Sequence, residues 1–177
     1  MSAPDSRSSE PTYRRRRPPK LMSLFMGLPR DLYVGPIADL FAWRSILRLT
    51  TTGRKSGQPR STCVSFLPLT ETGETHYVIF SGWGVSSNWY RNLRANPEVT
   101  IRVGRRTLQA TAEPVQDPAR RRELMLKMRE HSDVAGPPKV MRPLLRLTGV
   151  FDYDNEIRVA VEHAEELPVI ELVPRRG

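Results

Sequence analysis

The apolar and polar positions divide the chain into three regimes. Residues 1–19 show no apolar period; Ser, Pro and Arg dominate. Such a segment cannot bury enough surface to offset the entropy of ordering it, so it reads as a disordered basic tail. From Leu21 apolar residues recur at helical spacing: Leu21, Leu24, Phe25, Leu28 and Leu32, then Ile37, Leu40, Phe41 and Ile46. Pro29 and Gly35-Pro36 interrupt the run, which predicts short amphipathic helices over 21–46.

From Leu47 the period becomes two. Leu47–Thr52, Arg60–Leu69 and His76–Ser81 read as strands. The first two are joined by a turn over 53–59 and the next two by a hairpin around 71–74. A short helix follows, capped by Ser86 or Ser87, with Trp89 and Leu93 on one face and Asn96-Pro97 ending it. Val99–Val103 and Thr107–Val115 form a second hairpin. Asp117–His131 reads as a helix, with further helical stretches at 139–147 and 155–165 and a closing strand at Pro168–Pro174. Antiparallel strands with helices between the hairpins place the chain in the α+β class, with a small barrel as its sheet. At 177 residues it is long enough for one domain. The organisation expected is a tail over 1–19 and a single domain over 20–177.

Charge adds a direction. Lys and Arg total 28 against 19 Asp and Glu, a net of +9, so anionic partners are favoured. The Arg14–Arg17 run sits in the tail; its two readings are a solvated segment and an anchor for nucleic acid or acidic lipid. No secretory leader pattern and no apolar run of membrane-spanning length is expected, which fits a cytoplasmic protein, with attachment to the cytoplasmic membrane face through the 21–46 helices as the sharper alternative. The lone Cys63 has no partner for an intramolecular disulfide and reads as an inert buried thiol. His76, His131 and His163 lack metal-ligand spacing and read as surface side chains; no metal is expected. Neither a nucleophile elbow nor a phosphate-binding glycine fingerprint is present. Monomer and dimer both remain open.

One turn stands out. Gly53-Arg54-Lys55-Ser56-Gly57-Gln58-Pro59-Arg60 gathers three cations between two strands. Its glycines allow close backbone approach, and its Arg and Lys side chains suit phosphate or carboxylate. A second segment, Ser81-Gly82-Trp83-Gly84, leads from a strand end to a helix start and supplies an indole face at Trp83, joined by another at Trp89.

Three stretches, Leu49-Thr-Thr-Thr-Gly-Arg-Lys-Ser-Gly-Gln-Pro-Arg60, Ser81-Gly-Trp-Gly84 and Asn88-Trp-Tyr-x-Asn-Leu-x-Ala-Asn-Pro-Glu-Val-Thr100, occur in an order that closely resembles the deazaflavin-dependent nitroreductases, also described as coenzyme F420H2-dependent quinone reductases. The resemblance implies a split β-barrel, similar to FMN-binding split barrels, that holds F420 in a groove and passes a hydride to a quinone, a nitroaromatic or a similar electrophilic acceptor. It further implies that Arg54, Lys55, Ser56 and Arg60 hold the phosphate and oligoglutamate tail. Ser61, Thr62, Cys63, Val64 and Ser65 would follow the ring along one strand, and Ile79, Phe80, Ser81 and Gly82 would line its other edge. Asn88, Trp89, Tyr90, Arg91 and Asn92 would close the site from the helix. On this reading an Arg54→Ala/Lys55→Ala change weakens cofactor binding far more than folding, and the tail is dispensable for binding. The chain departs from the family pattern at Cys63, Ser65 and Gly82, and at Asp133–Lys139, where relatives carry tyrosines on the substrate side. The acceptor and the catalytic proton donor are therefore open. The alternatives are a barrel that binds FMN instead and a non-catalytic F420-binding protein; a nucleic-acid partner is not expected.

Overall fold

The computed structural model describes residues 10–14, 33–43, 45–71, 73–135 and 153–175. Its elements are α1 (Gly35–Trp43), β1 (Ile46–Thr52), β2 (Pro59–Glu71), β3 (Glu74–Phe80), α2 (Asn88–Ala95), β4 (Glu98–Val103), β5 (Arg106–Pro114), α3 (Pro118–Ala135), α4 (Tyr153–Glu162) and β6 (Val169–Pro174). The six strands close into an antiparallel barrel in the order β1-β2-β3-β6-β5-β4, so the α+β barrel expected from the alternating segments is present. The apolar positions 21–32 and the stretch expected to be helical at 139–147 lie outside the described residues.

Alternation along each strand sorts side chains between two faces. Leu47 and Leu49 stand opposite Val64 and Thr62; Leu49 also stands opposite Ile101, and Ile79 opposite both Phe66 and Ile170. All of these but Thr62 belong to, or pack against, one buried cluster inside the barrel, to which α2 adds Tyr90 and Leu93. The opposite face of β2, β3 and β6 presents Leu67, Val78 and Val169 to a second core. There α3 contributes Leu124, Met125 and Met128, and the α4 region Ala160, Ala164 and Leu167. The helix period of α3 and the strand period of β2 thus meet on one apolar seam.

The ends of the elements follow from local chemistry. α3 begins where Asp117 accepts hydrogen bonds from the backbone N–H groups of Ala119 and Arg120, at 3.1 and 3.2 Å. α2 starts differently from the expectation: Ser87 occupies the cap position but makes no side-chain capping bond, because its hydroxyl pairs with that of Ser81 at 2.6 Å. α1 begins at Gly35-Pro36, which therefore opens a helix as well as interrupting the preceding pattern. Tyr33, fully buried just before α1, donates to the Ile46 carbonyl and accepts from the Gly104 N–H, pinning this region to the barrel at 2.9 and 3.0 Å.

Three expectations change. Residues 10–14 of the tail are docked on the domain, with the Thr12 and Tyr13 N–H groups both donating to the Glu166 carbonyl. Tyr13 supplies the apolar contact that composition alone hides, since it packs against the second core. Cys63 is half-buried, because it faces the polar outer side of β2 and not the core. The three histidines are half-buried as well, each with a partner: His76 lies 3.7 Å from Glu171, His131 shares a 2.6 Å hydrogen bond with Ser45, and His163 Nδ1 donates to the Val159 carbonyl.

Candidate functional site

The basic turn is built by its own backbone. Gly53 N–H donates to the Gln58 carbonyl at 2.8 Å, and Gly57 N–H returns to the Gly53 carbonyl at 2.7 Å. Gly57 takes a positive φ of 67°, and a Cβ on Gly53 would stand 2.9 Å from Ser56 Oγ and 3.1 Å from the Gln58 carbonyl oxygen. Both glycines are therefore required by the shape of the turn. Residues 54–60 are all exposed.

The three cations of the turn do different jobs. Arg54 is spent on structure. Its backbone N–H and its guanidinium both donate to Asn92 Oδ1, at 3.3 and 2.9 Å, and the guanidinium also reaches the Asn88 carbonyl at 3.4 Å and Asn88 Oδ1 at 3.5 Å. Asn92 is buried and completes the tie by donating from Nδ2 to Thr51 Oγ1 at 3.2 Å. Lys55 and Arg60, in contrast, make no side-chain hydrogen bond or ion pair among the described residues and are exposed. The turn therefore presents two uncommitted cations on a braced backbone, an arrangement suited to an anion. The resemblance implies one shared role for these residues; the register of the turn against α2 separates them.

The residues expected to follow a ring along β2 are likewise split by the pleat. Ser61, Cys63 and Ser65 face outward, opposite Thr50, Arg48 and Ile46. Thr62 and Val64 face inward with Leu49 and Leu47, and Val64 packs on the barrel core. On the outward face Thr50 and Ser61 share a 2.8 Å hydrogen bond. Beside them Arg48 stands between Cys63 on β2 and Arg102 on β4. Its Nε is buried without a hydrogen-bond partner among the described residues. No sequence pattern singled out Arg48, because a lone Arg in an alternating strand reads as a solvated side chain.

The second glycine segment closes on itself. Ser81 is buried; its hydroxyl donates to the Gly84 carbonyl at 2.8 Å and meets Ser87 Oγ. Ser86 Oγ donates to the Trp83 carbonyl at 2.7 Å, and Arg91 Nε donates to the Val85 carbonyl at 3.1 Å. Gly82 and Trp83 stay half-buried. Of the remaining candidates, Trp89 is half-buried and packs on the barrel core, edge-on to Tyr90. Asn88 is exposed. Phe80 is half-buried against the second core. Ile79 is 0% exposed and Tyr90 4% exposed, so both are core side chains with no surface to offer a ligand. Their strand and helix phases point these side chains inward.

Residues 30–135 match the family model described as F420H(2)-dependent quinone reductase. The chain belongs to that family. Among curated relatives, an F420H(2)-dependent quinone reductase of Mycobacterium tuberculosis is 42% identical over 72 residues, covering 40% of this chain and 46% of that protein. The chain thus spans about half the length of the curated relatives it matches. Among solved structures, an F420-H2 dependent reductase aligns over 73% of this chain and 94% of its own, at 24% identity and a TM-score of 0.43. An F420 reductase aligns over 77% and 91%, at 20% identity and 0.44. At these scores the structural likeness does not bear on the site.

Proposed function

We propose that this family member is an F420H2-dependent oxidoreductase that reduces a quinone or a comparable electrophilic acceptor. The observation that carries the reading is the division of labour in the basic turn, where Arg54 braces the backbone and Lys55 and Arg60 stand uncommitted. F420 ends in a phosphate and an oligoglutamate tail, and two free cations on a rigid turn suit a polyanion. The Arg48 Nε on the same outward face as Ser61, Cys63 and Ser65 is a second point of fit, since it calls for an acceptor that no described residue supplies.

Bound F420H2 supplies the hydride; with one proton it converts a quinone carbonyl system to the hydroquinone oxidation level. The protein's own part is binding and orientation. Lys55 and Arg60 hold charge, the outward face of β2 gives hydroxyl donors at Ser61 and Ser65, and the Ser81–Ser87 loop with Trp83 bounds the other edge. Thr62, Val64, Ile79 and Tyr90 support this surface from the core side.

The test is a fluorescence titration of the full-length protein with F420, alongside Lys55→Ala/Arg60→Ala. Saturable binding that weakens about tenfold or more in the variant supports the reading, on the scale of charge-assisted contacts. Absence of binding, together with a flavin spectrum in the purified protein, would favour FMN instead. Binding without turnover of any quinone or nitroaromatic would make the protein a cofactor carrier.

Peripheral membrane attachment is part of the same proposal. No described helix is long and apolar enough to cross a membrane. On and beside α1, however, Val34, Leu40 and Trp43 are 51%, 55% and 68% exposed, and the β4–β5 turn carries exposed Arg105, paired with Asp39 of α1 at 2.7 Å, and exposed Arg106. An apolar helix face beside cations suits an acidic lipid surface, which is where a lipid-soluble quinone resides. Cosedimentation with acidic-lipid vesicles, lost in Leu40→Ser/Trp43→Ser, is the expected result; equal binding by both proteins would remove this part.

A further inference from the structure

The Ser81–Ser87 loop is supported from outside as well as from within. Val85 N–H donates to the Tyr13 carbonyl at 3.0 Å, and Arg14 forms an antiparallel bridge with Gly84. The segment that does this is itself anchored. The Thr12 and Tyr13 N–H groups donate to the Glu166 carbonyl at 3.0 and 3.1 Å, Glu10 lies 3.3 Å from Arg94, and the Tyr13 ring sits 4.9 Å from that of His163. The fit at the crossing is close. Gly84 has a φ of +62°, and a Cβ there would fall 1.8 Å from the Tyr13 carbonyl oxygen. A side chain at Gly84 and the docked segment are mutually exclusive.

We infer that Tyr13 and Arg14 form a positioning strap for the Ser81–Ser87 loop, so that the N-terminal segment and the cofactor site are energetically coupled. The inference rests on the F420 reading given above. Gly82, Trp83, Val85 and Ser86 of the loop are all half-buried, and the Val85 N–H has the Tyr13 carbonyl as its partner. Removing the strap frees that donor and widens the conformations the loop samples before a ligand binds. Coupling is reciprocal, so a ligand that orders the loop holds the strap down by the same factor. The tail is then not dispensable for binding, contrary to what the family resemblance implies.

The sequence provides a direct reporter. Arg14 is followed by Arg15, Arg16 and Arg17, so trypsin can cut at the strap's end once the strap lifts. Under native conditions, F420 is expected to slow cleavage after Arg14 in the full-length protein at least fivefold. Tyr13→Ala should be cut faster without ligand and should bind F420 at least fivefold more weakly. Tyr13→Phe should match the parent, because the Tyr13 hydroxyl makes no hydrogen bond among the described residues. An unchanged cleavage rate on F420 binding, or an unchanged Kd in Tyr13→Ala, overturns the inference and leaves the F420 reading standing. Protection that persists in full in Tyr13→Ala would assign it to direct contact between the arginines and the ligand, and also overturns the coupling. A full-length protein that leaves F420 unbound overturns the functional reading and this inference together.

Discussion

Arg54 reaches Asn92 Oδ1 twice, from its backbone N–H at 3.3 Å and from its guanidinium at 2.9 Å. One buried amide oxygen on α2 therefore fixes both the path of the basic turn and the direction of its first cation. The same amide donates to Thr51 on β1, so three elements converge on a single side chain.

Asn92→Ala should consequently destabilise the fold. It removes three hydrogen bonds, one charge-assisted, and leaves the Arg54 N–H without its acceptor. The expected loss is about 2–4 kcal/mol, read from urea denaturation. Arg54→Ala should show a measurable part of that loss. Its effect then falls on folding as well as on ligand binding, which differs from the role implied by the family resemblance.

Lys55→Ala and Arg60→Ala should leave the urea midpoint unchanged, since neither side chain has a partner in the described structure. Their F420 affinity should fall, and the slope of log Kd against log salt should flatten. A salt slope identical to that of the parent would place the anion elsewhere.

Arg121 supplies a third contrast. It is 1% exposed, and its guanidinium donates to the Glu165, Val115 and Gln116 carbonyls at 2.8, 3.0 and 3.0 Å. Burial pulls its pKa below the usual guanidinium value. Arg121→Met would fill similar volume and strand those carbonyls, at a cost of about 3 kcal/mol or more. The turn it holds includes Glu165, next to the Glu166 carbonyl that anchors the strap. Chemical denaturation and trypsin cleavage after Arg14 should therefore both respond to this variant.

His131 should make stability fall on mild acidification. It lies partly buried against Ser45, and desolvation holds its pKa below the ordinary 6.5. The unfolded chain then binds a proton at a higher pH than the folded one. Stability is fully present above about pH 6.5 and declines as the pH drops toward the folded value. Thermal midpoints from pH 8 to pH 5 should decline less in His131→Gln than in the parent; parallel curves would exclude His131 as the source.

The strands and the basic turn were legible because period-two alternation and a glycine-flanked charge cluster are local signals. β1, β3 and β4 fall within two residues of their expected bounds. What local pattern could not reveal was which members of a cluster are already committed. The Arg54–Asn92 tie spans 38 positions, and the docking of Tyr13 at Val85 spans some seventy. Ser87 illustrates the same limit: its sequence context suits a helix cap, and only the proximity of Ser81 diverts its hydroxyl. The two faces of β2 were implicit in the alternation. Across Ser61–Ser65 the pleat turns Thr62 and Val64 inward and Ser61, Cys63 and Ser65 outward.

β6 sits between β3 and β5 in the barrel, although both precede it in sequence. During synthesis two facing edges therefore wait open until Val169–Pro174 leaves the ribosome, and each is a template for pairing with another chain. Every ligand-facing residue named above is already translated by then. A nascent chain carrying a complete set of binding residues is still an unclosed sheet, and a message truncated ahead of Val169 should yield aggregates and not a weakened enzyme.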